Sequence, residues 1–254
     1  MSDKGSPFDL SGRVAAVTGA NTGLGQAIAL ALAEAGADIA TLGRTEPVET
    51  AARIAALGRA SQHFAVDLGA HPDFEPLVRD VVVRFGAVDI LVNNAGTIRR
   101  AEALDFQELD WDAVINVNLK SVFFLTQAVA RTMIGRGRGK IINIASMLSF
   151  QGGIRVAAYT ASKSAIAGLT RLLANEWAAR GINVNAIAPG YMATENTAAL
   201  RADTVRNREI LGRIPAGRWG DPADLAGAAV FLASGASDYV HGAILPVDGG
   251  WLAR

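Results

Sequence analysis

The sequence predicts an α/β fold in which helices cover both faces of one central parallel sheet. Three observations predict it. Apolar, β-branched runs alternate with helical patterns; the strands read as apolar on both faces; and the first strand runs straight into a glycine-rich turn. Alternation of this kind builds βαβ units, and a strand without a polar face belongs inside a parallel sheet. The expected strands are residues 14–18, 38–42, 63–66, 90–93, 141–145, 183–187 and 243–247, with VAAVT and KIINIA the clearest. A helix is expected over 26–35 and a long helical stretch over 114–128. At 254 residues, half of them apolar, the chain can bury a large core, and we expect one domain over 1–254. Residues 190–220 break the rhythm with a polar helical stretch, which we expect to be a small lid over the site.

Composition excludes several function classes. Lys plus Arg and Asp plus Glu balance at 24 each, so no global field holds nucleic acid or an anionic membrane. The segment Gly135-Arg-Gly-Arg-Gly139 reads as a helix–strand turn rather than a nucleic-acid contact. With no cysteine, thiolate catalysis and Cys-based metal sites are excluded, and His63, His71 and His241 have no metal-ligand spacing, so no metal is expected. The N-terminus lacks the apolar core of a secretory signal, and the apolar stretch at 27–42 is broken by Glu34 and Asp38. A cytoplasmic protein without a membrane partner is expected.

The first strand leads into Thr18-Gly19-Ala20-Asn21-Thr22-Gly23-Leu24-Gly25 and then a helix. Glycines permit positive φ and let backbone N–H groups approach a pyrophosphate, while the helix N-terminus adds partial positive charge. Gly19, Gly23 and Gly25 thus suggest a Rossmann-type, doubly wound domain binding a dinucleotide. Asp67 follows the third strand, where its carboxylate can accept from an adenine amino group. Asn93-Asn94-Ala95-Gly96 ends the fourth strand at the same edge.

Tyr159 and Lys163 lie four apart at the start of a helical pattern and share a face. A cation beside a phenol favours the phenolate, which suits general acid/base work, although a surface pair would look the same. Ser146 ends the fifth strand at the carboxyl edge, where open α/β sheets bind ligands and its hydroxyl can meet a substrate oxygen. Asn118 is a poor helix former among Val, Ile and Phe, and a buried, partnered amide would explain it equally.

TGxxxGxG, NNAG, Asn118, Ser146, YxxxK and Pro189-Gly190, in this order and spacing, resemble the short-chain dehydrogenase/reductase family over nearly the whole chain. The resemblance implies proton transfer by Tyr159, ribose binding and phenolate support by Lys163, polarisation of the substrate carbonyl by Ser146, and a relay water held by Asn118. It implies cofactor contacts from Gly19, Asn21, Gly23, Leu24, Asp67, Asn93, Gly96, Tyr159, Lys163, Pro189, Gly190, Met192 and Thr194, with Gly25 in the same turn, and a homotetramer. Gly43 stands where many NAD-preferring relatives place an aspartate, and Arg44 beside it can pair with a 2′-phosphate, which favours NADP(H).

The segments 94–100, 146–155, 185–194 and 247–254 resemble a narrower group, the bacterial 2-deoxy-D-gluconate 3-dehydrogenases, also described as 2-keto-3-deoxygluconate dehydrogenases of pectin and uronate breakdown. This resemblance tips the cofactor expectation slightly to NAD(H), with NADP(H) open because of Gly43 and Arg44. The substrate it implies is a small sugar acid. Arg99, Arg100 and Arg155 follow the strand ends that face the nicotinamide, and a guanidinium fork binds a carboxylate bidentately. Arg99 and Arg155 are the expected carboxylate ligands, Gln151 a hydroxyl contact, and Trp251 an interface residue or a plug for a neighbour's pocket. Two alternatives remain: a 3-oxoacyl-carrier-protein reductase, and a non-catalytic dinucleotide-sensing module.

Overall fold

The computed structural model describes residues 6–254. Its strands are β1 (Val14–Thr18), β2 (Asp38–Gly43), β3 (Ser61–Ala65), β4 (Ile90–Asn93), β5 (Gly139–Ile144), β6 (Ile182–Pro189) and β7 (Ile244–Val247), and they form one parallel sheet in the order β3-β2-β1-β4-β5-β6-β7. Helices α1 (Gly23–Glu34), α2 (Val48–Ala56), α3 (Phe74–Phe85), α4 (Glu108–Ile115), α5 (Ser121–Arg136), α6 (Ala157–Trp177), α7 (Ala198–Ala202), α8 (Thr204–Arg213) and α9 (Ala226–Ala233) follow between and after them. All seven expected strands are present. Their bounds shift by at most two residues: β3 and β5 begin two residues earlier than expected, and β6 ends two residues later.

Two buried layers hold the sheet. Leu10, Ile28, Leu32, Ile39, Ile54, Leu225 and Leu232 fill one face under α1, α2 and α9, and Phe74, Val78, Val81, Leu125, Val129, Met133 and Leu173 fill the other under α3, α5 and α6. The strand order reverses between β1 and β4, so the carboxyl ends of these two strands diverge into the crevice where doubly wound sheets bind ligands.

The longest apolar helical run among the described residues is Glu108–Arg136, not the 27–42 region. It is long and apolar enough to span a membrane by length and composition, yet half of its most apolar window is buried in the protein. The run is interrupted by a π-turn at Asn116–Lys120, which carries Asn118. Residues 190–220 form the expected insert, with α7 and α8 inside it. Its two ends are tied by backbone bonds, Ala193 N to Gly220 O at 2.7 Å and Gly220 N to Tyr191 O at 2.9 Å.

Candidate active site

The glycine turn is built for close approach. Gly19 has φ +66°, and a Cβ on Gly25 would lie 2.2 Å from the Gly19 carbonyl oxygen, so the turn tolerates no side chain there. Thr50, fully buried on α2, donates to Ala20 O at 2.8 Å and accepts from Gln26 Nε2 at 3.0 Å, which fixes the turn from behind. Asn94 Nδ2 donates to Thr18 O and Gly19 O, and Thr18 Oγ1 accepts from the Asn94 and Ala95 N–H groups. The resulting concave backbone at the N-terminus of α1 fits a pyrophosphate. Asn21 and Leu24 lie on this turn, exposed Arg44 follows β2, and exposed Asp67 follows β3, with its Oδ1 accepting from Gly69 N.

Pro189 and Gly190 end β6, where a Cβ on Gly190 would lie 2.5 Å from Asp248 Cα. Buried Met192 and then Thr194 lead into the lid, and a Cβ on Gly23 would sit 3.6 Å from Thr194 Cγ2. The lid therefore starts directly over the glycine turn. Gly96 lies above Asn118, whose Oδ1 would be 3.4 Å from a Cβ there.

The Asn93 side chain points into the core, where Nδ2 donates to Thr126 Oγ1 at 2.8 Å and Asn143 Oδ1 at 2.9 Å, and Asn143 in turn donates to Thr170 Oγ1. Alternation along β4 turns Asn93 inward, so the amide facing the glycine turn is Asn94.

Asn118 is 1% exposed and both ends of its amide are engaged: Oδ1 accepts from Thr97 N at 2.8 Å, and Nδ2 donates to Thr97 O at 2.9 Å and Ser162 Oγ at 3.3 Å. Ser162 donates to the Tyr159 carbonyl at 2.8 Å. This amide thus ties the loop after β4 to the first turn of α6. Ser146, 8% exposed, accepts from Leu148 N, which holds its hydroxyl at the end of β5.

Lys163 is 5% exposed; its Nζ lies 5.6 Å from the Tyr159 ring centroid and donates to the Ile144 carbonyl. Burial lowers its pKa to about 8. The expected lowering of the Tyr159 proton affinity is not met. Burial pushes the phenol above its ordinary value, against smaller pulls from the Ser146 hydroxyl and the Arg100 guanidinium. The ammonium is aimed at a strand carbonyl, so desolvation of the ring dominates.

The arginines are distributed differently from expectation. Arg99 pairs with Asp110 at 3.2 Å and donates to Thr97 Oγ1 and Ile98 O. Arg155, with φ +62°, pairs with Glu102 at 3.2 Å on the surface. Both forks face protein acids, because the rim loops carry Glu102 and Asp110 beside them. Arg100 is the one whose charge reaches Tyr159, and its Nη2 donates to Asn196 O on the lid at 3.3 Å. Its place among three arginines in sequence gave no signal that separates it. Gln151, expected as a hydroxyl contact, has its Oε1 engaged, accepting from Arg213 Nη2 and Trp251 Nε1, both at 3.2 Å. Trp251 itself, 5% exposed, packs within its own chain against Met147, Ile210 and Ile214.

The profile of the family described as enoyl-(acyl carrier protein) reductase matches residues 19–252. The chain belongs to the short-chain dehydrogenase/reductase family. A 2-dehydro-3-deoxy-D-gluconate 5-dehydrogenase of Dickeya dadantii is 62% identical over 97% of this chain and 98% of its own. A solved protein of Agrobacterium tumefaciens, assigned as a 2-deoxy-D-gluconate 3-dehydrogenase and holding NADP, superposes with a TM-score of 0.92 at 62% identity over 98% of this chain and all of its own. A gluconate 5-dehydrogenase of Burkholderia cenocepacia, solved with NADP and tartrate, gives a TM-score of 0.94 at 45% identity over 98% of both chains. As a member of this family the chain is an NAD(P)-dependent oxidoreductase acting on CH–OH groups.

Proposed function

We propose that this enzyme interconverts a secondary alcohol and a ketone on a deoxy sugar acid of the 2-dehydro-3-deoxy-D-gluconate type, reacting at C5 as in the names of its relatives. The observation that carries the reading is the 62% identity, over 97% of the chain, with a 2-dehydro-3-deoxy-D-gluconate 5-dehydrogenase. Arg100, which donates to the Asn196 carbonyl and pairs with no acid among the described residues, is the proposed carboxylate partner. A dinucleotide held by the glycine turn and the strand ends would supply hydride transfer at its nicotinamide. Tyr159 takes the alcohol proton on its phenol oxygen during oxidation and returns it during reduction. Ser146 Oγ donates to the substrate oxygen, and the Lys163 cation supports the phenolate. Asn118, whose amide is engaged with Thr97 and Ser162, holds the π-turn beside α6, where the relay water implied for it would lie.

The cofactor residues proposed are Gly19, Asn21, Gly23, Leu24, Gly25, Asp67, Asn93, Gly96, Pro189, Gly190, Met192 and Thr194. Exposed Arg44, which has no ion-pair partner among the described residues, and Gly43 suit a 2′-phosphate, and NADP in the solved relatives supports that choice. Half-exposed Phe124 on α5 and Leu172 on α6 support assembly from copies of this chain.

The carrier-protein reductase reading is not favoured, since the relatives at 62% identity are named for sugar acids. A silent sensor needs neither Tyr159 nor its buried lysine. Turnover of both nicotinamides against keto-sugar acids, acyl thioester mimics and neutral ketones tests the proposal. The sugar acid should give the highest kcat/KM; a thioester doing so, or no turnover of any compound, would overturn it.

A further inference from the structure

The loop after Ser146 is gripped from two sides. On one side Ser149 Oγ donates to Lys163 O at 2.6 Å and Ser164 Oγ donates to Leu148 O at 3.1 Å, which fastens the loop to α6. On the other, Gln151 Oε1 accepts from Arg213, in the last turn of α8, and from Trp251 in the C-terminal turn. Three segments distant in sequence therefore meet on one oxygen, and both of its lone pairs are used.

The partners of that oxygen are themselves fixed. The Arg213 guanidinium lies over the Trp251 ring at 4.1 Å, and Tyr191 meets the same indole at 4.8 Å between centroids. Asp248 shapes the C-terminal turn, with Oδ1 accepting from Gly250 N and Oδ2 from Leu252 N. Arg254 adds a bond to Gly212 O at 2.6 Å. The base of the lid is closed by backbone bonds between Ala193, Tyr191 and Gly220, and side chains hold the rest: Arg100 at Asn196, Trp219 at Asn207, and Gln151 at the end of α8.

We propose that Gln151 is a positioning residue that latches α8 and the C-terminal turn onto the loop after Ser146, a loop already fastened to α6, and so holds the lid over the substrate. The inference rests on the hydride-transfer reading only for its kinetic consequence. Loss of the latch loosens the lid and weakens substrate binding, while proton transfer by Tyr159 in the bound complex continues. A carboxylate at position 151 keeps the acceptor and gains an opposite charge toward Arg213; an aliphatic side chain loses both bonds.

The test uses the full chain with NADP present and compares Gln151→Leu, Gln151→Glu, Trp251→Phe and the Leu/Phe double variant. One readout is the rate of tryptic cleavage within the lid, at Arg201, Arg206 and Arg208. The other is KM and kcat for the keto-sugar acid. Gln151→Leu should raise both the cleavage rate and KM about tenfold, the loss of roughly one charged hydrogen bond, with kcat and the dinucleotide Kd nearly unchanged. Gln151→Glu should restore both, and the double variant should be no worse than Gln151→Leu alone. A raised KM with unchanged cleavage, or an equal loss in Gln151→Glu, would make Gln151 a direct substrate ligand and overturn the latch. If the wild-type enzyme turned over no sugar acid, the substrate reading would fall while the cleavage rates still judged the latch.

Discussion

Asn118, Ser146 and Lys163 are each less than a tenth exposed and sit on a π-turn, a strand end and a long helix, whereas Arg99, Arg100 and Arg155 stand on rim loops and reach acids or a lid carbonyl. The floor of the site is set by hydrogen bonds that leave little freedom, such as the two Asn118–Thr97 bonds and the Asn93–Asn143–Thr170 chain beneath it. The rim is set by charges whose partners can be exchanged. On the function proposed above, the floor carries the chemistry common to alcohols and ketones, and the rim selects among them.

Breaking the floor should cost most. Tyr159→Phe should lower kcat by about 10²- to 10⁴-fold with the dinucleotide Kd unchanged, read by steady-state kinetics and a binding titration. Breaking the rim should act on recognition: Arg100→Ala should raise KM for the sugar acid about 10- to 100-fold, the range of a charged hydrogen bond, and leave a neutral ketone unaffected. Equal effects on both compounds would move Arg100 into the floor.

Asn118→Ala tests the structural side of the floor, because it strands the Thr97 N–H and carbonyl. A loss of about 2 kcal/mol should appear in denaturant unfolding, together with reduced kcat.

The pH profile separates the two titrating groups of the floor. Tyr159 is raised, so it stays protonated and able to donate throughout neutral and mildly basic pH. Lys163 is lowered to about 8, so its supporting charge is present below that pH and lost above it. Carbonyl reduction should hold steady up to about pH 8 and then fall, and a profile flat to pH 10 would contradict the role given to Lys163. The smallest effect is expected from Arg155→Ala, at most about threefold in KM, because an exposed pair such as Arg155–Glu102 contributes about 0–1 kcal/mol.

Much of this contrast can be read along the chain, and the reasons are physical. Strand-to-glycine-turn spacing, the Tyr159–Lys163 interval and the end of β5 are local patterns, so the fold, the turn and the floor residues were legible in the sequence. The lid was legible too, since a polar stretch interrupts an apolar rhythm. Direction was harder: Asn93 and Asn94 differ by one step of a strand, and that step sends one amide into the core and the other to the turn. The rim was least legible, because which arginine is left without a protein acid depends on Glu102 and Asp110 having taken Arg155 and Arg99. Likewise, nothing in sequence brings residues 151, 213 and 251 together.

The most direct test of the division between floor and rim compares, on the wild-type enzyme, 2-dehydro-3-deoxy-D-gluconate with the same keto sugar carrying an amide in place of the carboxylate. The account predicts a KM raised at least about tenfold for the amide with kcat within about threefold. An unchanged KM, or a loss confined to kcat, would contradict it.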